Sequence, residues 1–259
     1  MEVINKIILG IVQGITEIVP VSSSGHLILL SEFLEIETDL AFLTYLHLMT
    51  GLAIIWGFWP EIRYVFNSNS KNYLLKLIFM GLIPAAMVGT LAHGYIQDFL
   101  HNAFVVITSL ILFGILMILT DVFLSKKAYI EKLEGIKGKN ALIIGLAQII
   151  ALIPGTSRSG ITITSAVVTG IKKDVAVAFS FLIGLPLIIG AFFFEVVKNR
   201  HSLDTMFKGE NLIGGLAAFI FAYFTILIFK KFLHTKFLLA FGIYRIVLGA
   251  IMAILLLII

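Results

Sequence analysis

Apolar stretches as long as a bilayer is thick recur from Ala41 to the C-terminus, and no other feature of the chain constrains its fold as strongly. Crossing roughly 30 Å of hydrocarbon takes about 20 helical residues. Windows at about 40–60, 75–92, 104–124, 176–196, 212–229 and 237–259 meet that length, with short polar turns between them. Composition closes off a soluble alternative. Of 259 residues, 59% are hydrophobic and 13% charged, against about 45–50% and about 25% in soluble domains, so a water-compatible surface cannot be assembled. The expected fold class is an all-α polytopic membrane protein.

The net charge of +4 and the pI near 9.2 come without any basic run interleaved with aromatics, so no nucleic-acid partner is expected and the lysines read as a topology signal. There is no cysteine, which excludes disulfides and thiolate chemistry. Lys6 is the lone cation ahead of an apolar stretch broken by Gln13 and Glu17, with no small-residue cleavage site after it, so a cleaved signal peptide is not expected. The 22 phenylalanines read as lipid-facing and packing residues.

Two further apolar stretches, about 3–30 and 141–170, are interrupted by proline and by clusters of Ser, Thr and Gly. Non-helical backbone at membrane depth survives only where protein or a wet cavity surrounds it, so both are expected to be re-entrant helical hairpins. Positive charge tests that layout. If each hairpin enters and leaves by one face, segments 61–76, 125–140, 170–175 and 230–236 share a side. That side holds Arg63, Lys71, Lys76, Lys126, Lys127, Lys132, Lys137, Lys139, Lys172, Lys173, Lys230, Lys231 and Lys236, as expected of a cytoplasmic face. The other keeps Lys198, Arg200 and Lys208, and the acidic run Glu32, Glu35, Glu37 and Asp39.

An internal repeat points the same way. Gly10-Ile-Val-Gln13 and Gly145-Leu-Ala-Gln148 precede Ser24-Gly25 and Ser159-Gly160 at one spacing, with Pro20 or Pro154 between, and weaker echoes pair Ala41-Phe42 with Ala178-Phe179 and Glu61 with Glu195. A single membrane domain of two repeats is expected, about 1–125 and about 140–259, each one hairpin plus three transmembrane helices. Three crossings invert the second repeat relative to the first. Inverted repeats with discontinuous helices place a shared site where the hairpins meet, near the bilayer midplane.

The first interruption reads Gln13-Gly-Ile-Thr-Glu17-Ile-Val-Pro20-Val-Ser22-Ser23-Ser24-Gly25-His26. A carboxylate at bilayer depth costs on the order of 3 kcal/mol, so Glu17 is expected to face a cavity or a partner. One helical turn separates it from Gln13, which suits a shared ligand or metal ion. Pro20 is expected to end the helix and Ser22 to His26 to follow as a loop. The second interruption, Pro154-Gly155-Thr156-Ser157-Arg158-Ser159-Gly160-Ile161-Thr162, sets a guanidinium among hydroxyls and glycines at the start of a helix. Arg recognises phosphate through two parallel N–H bonds, and a helix start adds N–H donors and a favourable dipole end. A buried Glu17–Arg158 ion pair is the structural alternative. His47, His93, His101, His201 and His234 lack a ligand-spaced partner and read as structural or solvated; Arg245 reads as snorkelling or pairing across the bundle.

At these two motifs the sequence resembles the undecaprenyl-diphosphate phosphatase family, the bacitracin-resistance membrane phosphatases of the bacterial cell envelope. The resemblance implies hydrolysis of undecaprenyl diphosphate to undecaprenyl phosphate and inorganic phosphate in the bacterial plasma membrane, recycling the lipid carrier for peptidoglycan, with Mg2+ or Ca2+ as cofactor. It implies Glu17, Ser23, His26 and Arg158 as catalytic residues: Ser23 as nucleophile, His26 as base or orienting group, Arg158 on the diphosphate and Glu17 also on the metal. Gln13, Ser22, Ser24, Gly25, Ser157, Ser159, Gly160 and Thr162 would bind substrate. Whether Ser23, His26 or a water attacks phosphorus stays open at this stage. Family members carry Glu or Gln at the position of Gln13, and Gln13 removes one carboxylate from a metal clamp. Implied partners are the lipid substrate, membrane lipids, bacitracin as a competitor for that substrate, and a second copy of the chain. The competing expectation is a transporter for a lipid phosphate or another anion, since inverted repeats with broken helices suit alternating access.

Overall fold

The computed structural model describes residues 2–36, 38–100, 102–125, 128–199 and 202–258; Glu37, His101, Lys126, Lys127, Arg200 and His201, named above, lie outside them. The described residues are helices and their connections, with one isolated parallel bridge between Ile130 and Ile171. In chain order the helices are α1 (Glu2–Ile18), α2 (Ser23–Phe33), α3 (Leu40–Gly57), α4 (Trp59–Asn67), α5 (Lys71–Leu91), α6 (His93–Tyr95), α7 (Ala103–Phe123), α8 (Gly138–Ile150), α9 (Arg158–Val168), α10 (Lys173–Lys198), α11 (Ser202–Met206), α12 (Gly209–Phe232) and α13 (Phe237–Ile258). A π-helical turn, Ile96–Leu100, follows α6, and a 3-10 turn, Leu133–Gly135, precedes α8.

Six of these helices, α3, α5, α7, α10, α12 and α13, are long and apolar enough to cross a bilayer, and they coincide with the six apolar windows. The protein is a multi-pass membrane protein. Polar caps set several boundaries: Asp39 accepts from the Ala41 N–H at 3.0 Å and Asn102 from the Val105 N–H at 3.0 Å, each satisfying a donor that the first turn leaves open. The first span stops at Gly57, short of position 60. Phe58 packs on Phe181 with ring centroids 4.5 Å apart, and Pro60 sits in the first turn of α4, where its missing N–H costs nothing.

Helices from the two halves of the chain pair reciprocally. α1 and α3 lie on α12, α8 and α10 lie on α5, and α7 packs along α13. Small residues allow the backbones to meet, as they do between membrane helices generally. A Cβ at Gly10 would lie 2.1 Å from the Gly214 carbonyl oxygen, one at Gly145 2.7 Å from that of Met80, and one at Gly114 2.8 Å from that of Gly242.

The lysine-rich segments converge on one end of the bundle. Lys173 bonds Asp121 and the Thr235 carbonyl, Lys172 pairs with Glu131, and Lys230 bonds Glu61 and the Gly57 carbonyl. The Tyr64 hydroxyl donates to Glu134, and that of Tyr73 to the Ile136 carbonyl. Segments 61–76, 125–140, 170–175 and 230–236 are thereby tied together, as the charge pattern requires.

Both interruptions are helix–break–helix units: α1 and α2 around Pro20, α8 and α9 around Pro154. One expectation needs correction. Ser23, Ser24, Gly25 and His26 are not loop but the first turn of α2, because Ser22 turns to φ 75° and caps the helix, its hydroxyl accepting from the Gly25 N–H at 3.3 Å.

Candidate active site

The two breaks meet in the interior, and the chemistry is assembled on Glu17. Its Oε1 accepts from Arg158 Nη2 at 3.0 Å, and its Oε2 from the Ser23 hydroxyl at 2.6 Å. α1 brings the carboxylate, the start of α2 the hydroxyl and the start of α9 the guanidinium. Glu17 and Ser23 are each 8% exposed, so the three polar groups hold one another in a nearly dry setting where an unpartnered charge would be costly. Gln13, one turn before Glu17 and fully buried, donates from Nε2 to Glu17 Oε2 at 3.3 Å.

Arg158 is steered by α10. Its Nη1 reaches the Ser180 carbonyl at 3.5 Å, and its guanidinium carbon lies 5.7 Å from the Phe181 ring centroid. Gly184 makes the space, since a Cβ there would fall 1.9 Å from Nη1. The guanidinium keeps further N–H donors for an incoming anion.

The two helix starts are built alike. Ser22 (φ 75°, ψ 92°) caps α2 and lies 3.4 Å, Oγ to Oγ, from Ser24; Ser157 (φ 74°, ψ 112°) caps α9 through the Gly160 N–H at 3.1 Å and lies 3.4 Å from Ser159. Two N-terminal dipole ends, each lined with hydroxyls, thus face the region of Glu17 and Arg158, an arrangement suited to a group with several negative oxygens. Gly25 and Gly160 contribute by lacking side chains. A Cβ at 25 would touch Gly155 Cα at 3.3 Å, and one at 160 would press on Ser157 Oγ at 3.1 Å.

Arg245, fully buried in α13, holds both breaks. Nη1 donates to the carbonyls of Pro20 (3.3 Å) and Thr156 (2.8 Å), Nη2 to those of Gly155 (2.6 Å) and Ser109 (3.3 Å), and Nε to that of Leu110 (3.5 Å). The carbonyls of Pro20, Gly155 and Thr156 are ones that the broken helices leave without intrahelical donors, while those of Ser109 and Leu110 tie the guanidinium to α7. Of the two expectations for Arg245, snorkelling is corrected and pairing across the bundle holds, with backbone acceptors that no sequence pattern displays.

His26 and Ser23 do not form the expected pair. His26 Nδ1 lies 2.7 Å from the Ser22 carbonyl oxygen, which fixes that nitrogen as the protonated one, and Nε2 lies 2.8 Å from the Tyr244 hydroxyl. Being the fourth residue of α2, His26 points back along its own first turn, while Ser23 turns to Glu17. Thr162 also stands apart. It is fully buried, donates to the Arg158 carbonyl at 2.8 Å and lies 2.6 Å from Ser180 Oγ, so it braces α9 against α10. His47, read from sequence as structural or solvated, belongs to the site, with Nδ1 3.2 Å from Glu17 Oε2 and 2.9 Å from Gln13 Nε2. Its one visible signal was a lone imidazole inside an apolar span. Gly184 and Tyr244 gave no signal that distinguished them from packing residues.

This architecture defines a polytopic membrane protein with a buried acid–hydroxyl–guanidinium set between two helix starts. The family model described as bacitracin resistance protein BacA matches residues 6–251. An undecaprenyl-diphosphatase of Campylobacter hominis is 37% identical over 257 residues, covering 96% of this chain and 97% of its own. Proteins of the same name from Alteromonas mediterranea and Methanococcus aeolicus are 36% and 35% identical, each covering 97% of this chain and 98% of their own. The chain belongs to the BacA bacitracin resistance family.

Proposed function

We propose that the protein hydrolyses undecaprenyl diphosphate to undecaprenyl phosphate and inorganic phosphate, recycling the lipid carrier of cell-wall synthesis and so conferring bacitracin resistance. Family membership supplies the substrate; the observation that carries the mechanism is the 2.6 Å bond from the Ser23 hydroxyl to Glu17, itself held by Arg158. A carrier has no need of a hydroxyl aimed at a carboxylate, which sets the enzyme above the transporter reading.

Ser23 Oγ attacks the terminal phosphorus while its proton passes to Glu17 Oε2. The Oγ–P bond forms as the P–O bond to the departing undecaprenyl phosphate breaks, and water then attacks the phosphoserine to release inorganic phosphate and restore Ser23. Arg158 exchanges part of its contact with Glu17 for phosphate oxygens, and the N–H groups and hydroxyls of Ser24, Ser157 and Ser159 share the remaining charge. Phosphoryl transfer asks chiefly for such positioning and charge neutralisation.

The family also implies a divalent cation. The donor set fits one: Glu17 offers a carboxylate and Gln13 a buried Oε1 without a hydrogen-bond partner. Those two residues would hold the ion, which when bound supplies further neutralisation of the diphosphate.

In this reading the chain is two inverted repeats, about 1–125 and about 140–259, each a re-entrant hairpin plus three spans. The reciprocal pairing of α1 with α12 and of α8 with α5 supports that reading. The lysine-tied end faces the cytoplasm of a bacterial plasma membrane. Cysteines replacing the exposed Glu32 and Lys132 are expected to be labelled from outside and from the cytoplasm, respectively, against a cysteine-free background. Labelling of both from one side would overturn the inversion.

The functional test is phosphate release from undecaprenyl diphosphate by detergent-purified protein. Ser23→Ala is expected to lose at least about 1000-fold, some 4 kcal/mol of transition-state stabilisation, and Arg158→Lys at least about 10-fold, some 1.4 kcal/mol. Near wild-type turnover by Ser23→Ala would remove the serine mechanism, and absence of hydrolysis by the wild type would remove the function.

A further inference from the structure

Four side chains form a row from the lysine-tied end of the bundle to the candidate active site. Lys230 Nζ lies 4.3 Å from the centroid of the Phe58 ring, the Phe58 and Phe181 centroids are 4.5 Å apart, and the Arg158 guanidinium carbon lies 5.7 Å from that of Phe181. Each contact falls within the reach of cation–aromatic or aromatic–aromatic attraction. Both rings are buried.

The polar contacts of Arg158 do not by themselves fix where its guanidinium stands. Glu17 holds Nη2 at 3.0 Å, whereas Nη1 reaches the Ser180 carbonyl only at 3.5 Å. In the reaction proposed above, part of the Glu17 contact is given up to phosphate oxygens. The face of Phe181 is a contact that phosphoryl transfer leaves unaltered. At 4.5 Å, the short end of preferred ring separations, Phe181 cannot turn away from Arg158 without displacing Phe58. Phe58 is itself anchored at the corner between α3 and α4. Its N–H donates to the Ile54 carbonyl at 2.8 Å, and its carbonyl accepts from the Ile62 N–H at 3.0 Å. From α12, Lys230 clamps the same corner, donating to the Gly57 carbonyl at 2.9 Å and to Glu61 at 2.8 Å.

We infer that Phe58 is a positioning residue for Arg158: acting through Phe181, it sets where the guanidinium stands, and Lys230 holds the corner that carries it. The inference rests on the role given to Arg158 above and deepens it by naming what keeps the phosphate clamp in place while its polar partners change. It also ties the clamp to the lysine-tied end, through a helix corner that carries none of the candidate catalytic groups.

The test has a readout that needs no turnover. The chain has four arginines, so nitrogen-15 labelling of arginine in the full-length protein in detergent gives a small set of Nε–H resonances, in which Arg158→Lys identifies that of Arg158. Phe58→Leu, checked by thermal melting, keeps an apolar side chain but removes the flat ring; it is expected to shift the Arg158 resonance by releasing Phe181 and its ring current. In phosphate release, Phe58→Leu is expected to lower kcat/KM about 10-fold with Arg158 present and less than about 2-fold beside Arg158→Lys, whose ammonium has no planar face to lie on a ring, because groups acting through one another are non-additive. Lys230→Met, at the partly exposed end of the row, is expected to lower kcat/KM about 3-fold, with Lys230→Arg restoring it, and to shift the same resonance. It carries the test if Phe58→Leu does not fold. An unmoved Arg158 resonance in the folded variants, or equal losses in the two backgrounds, would overturn the inference. The resonances are read without substrate, so a wild type that released no phosphate would remove the proposed function while the positioning of Arg158 stood or fell on its own measurement.

Discussion

At the first break Ser22 adopts φ 75° and ψ 92° and caps Gly25; at the second, Ser157 adopts φ 74° and ψ 112° and caps Gly160. The backbones match, but the side chains they present do not. Counting 135 residues on, Ser23 corresponds to Arg158, His26 to Ile161 and Glu17 to Leu152. Gln13 lies against Glu17 and His47, whereas its counterpart Gln148 donates to the Gly81 carbonyl at 2.9 Å and locks α8 to α5. The two breaks thus supply two anion-friendly helix starts. The chemical groups are divided between them, with acid and hydroxyl at the first and the cation at the second. A symmetric site would set like charges face to face; the asymmetric one pairs a carboxylate with a guanidinium.

The comparison is broken most severely at Arg245, which holds one carbonyl of the first break and two of the second. Arg245→Met is expected to orphan the three buried carbonyls of Pro20, Gly155 and Thr156 at about 1–3 kcal/mol each before relaxation, for a net loss above about 3 kcal/mol. Thermal melting in detergent should show a collapse of stability together with activity. A variant that melts like the wild type would mean that the breaks hold themselves.

A smaller change separates the halves. Gly184→Ala places a methyl on Arg158, so activity is expected to fall at least about 10-fold, some 1.4 kcal/mol, with little change in melting temperature. Unchanged turnover would show that Arg158 works from another position.

The smallest effect tests the equivalence itself. Ser22→Ala and Ser157→Ala each remove one capping bond of nearly the same geometry, and each is expected to cost about 1 kcal/mol of stability. Melting shifts that differ by more than a factor of two would mean that the matching dihedral angles hide unequal supports.

Much of this was legible in the sequence. The six spans follow from length and apolarity, and the two breaks from Pro20 and Pro154 with their Ser/Gly clusters. Glu17 and Arg158 stood out because charge inside apolar sequence is expensive. Other residues were misread for one common reason. The resemblance paired Ser23 with His26, but within the first turn of α2 the imidazole folds back to the Ser22 carbonyl and the hydroxyl faces α1. Thr162 shares its motif with Ser157 and Ser159, yet helical rotation aims it at Ser180. His47 lacked a neighbour in sequence and found two across a helix interface.

By itself the sequence determined that the protein lies in a membrane, how many long helices it has, where two of its apolar stretches break and which charges require a partner. These are consequences of local composition, of the cost of exposing backbone to lipid and of the geometry of proline and serine at helix ends. Only the tertiary structure decided who the partners are. Glu17 meets Arg158 across 141 positions of chain, Arg245 joins Pro20 to Thr156, and Gly184 makes room for a guanidinium from another helix. Such contacts depend on how closely helices approach and how each is rotated about its axis. Small residues spread over the whole chain set those quantities together, and no single segment records them.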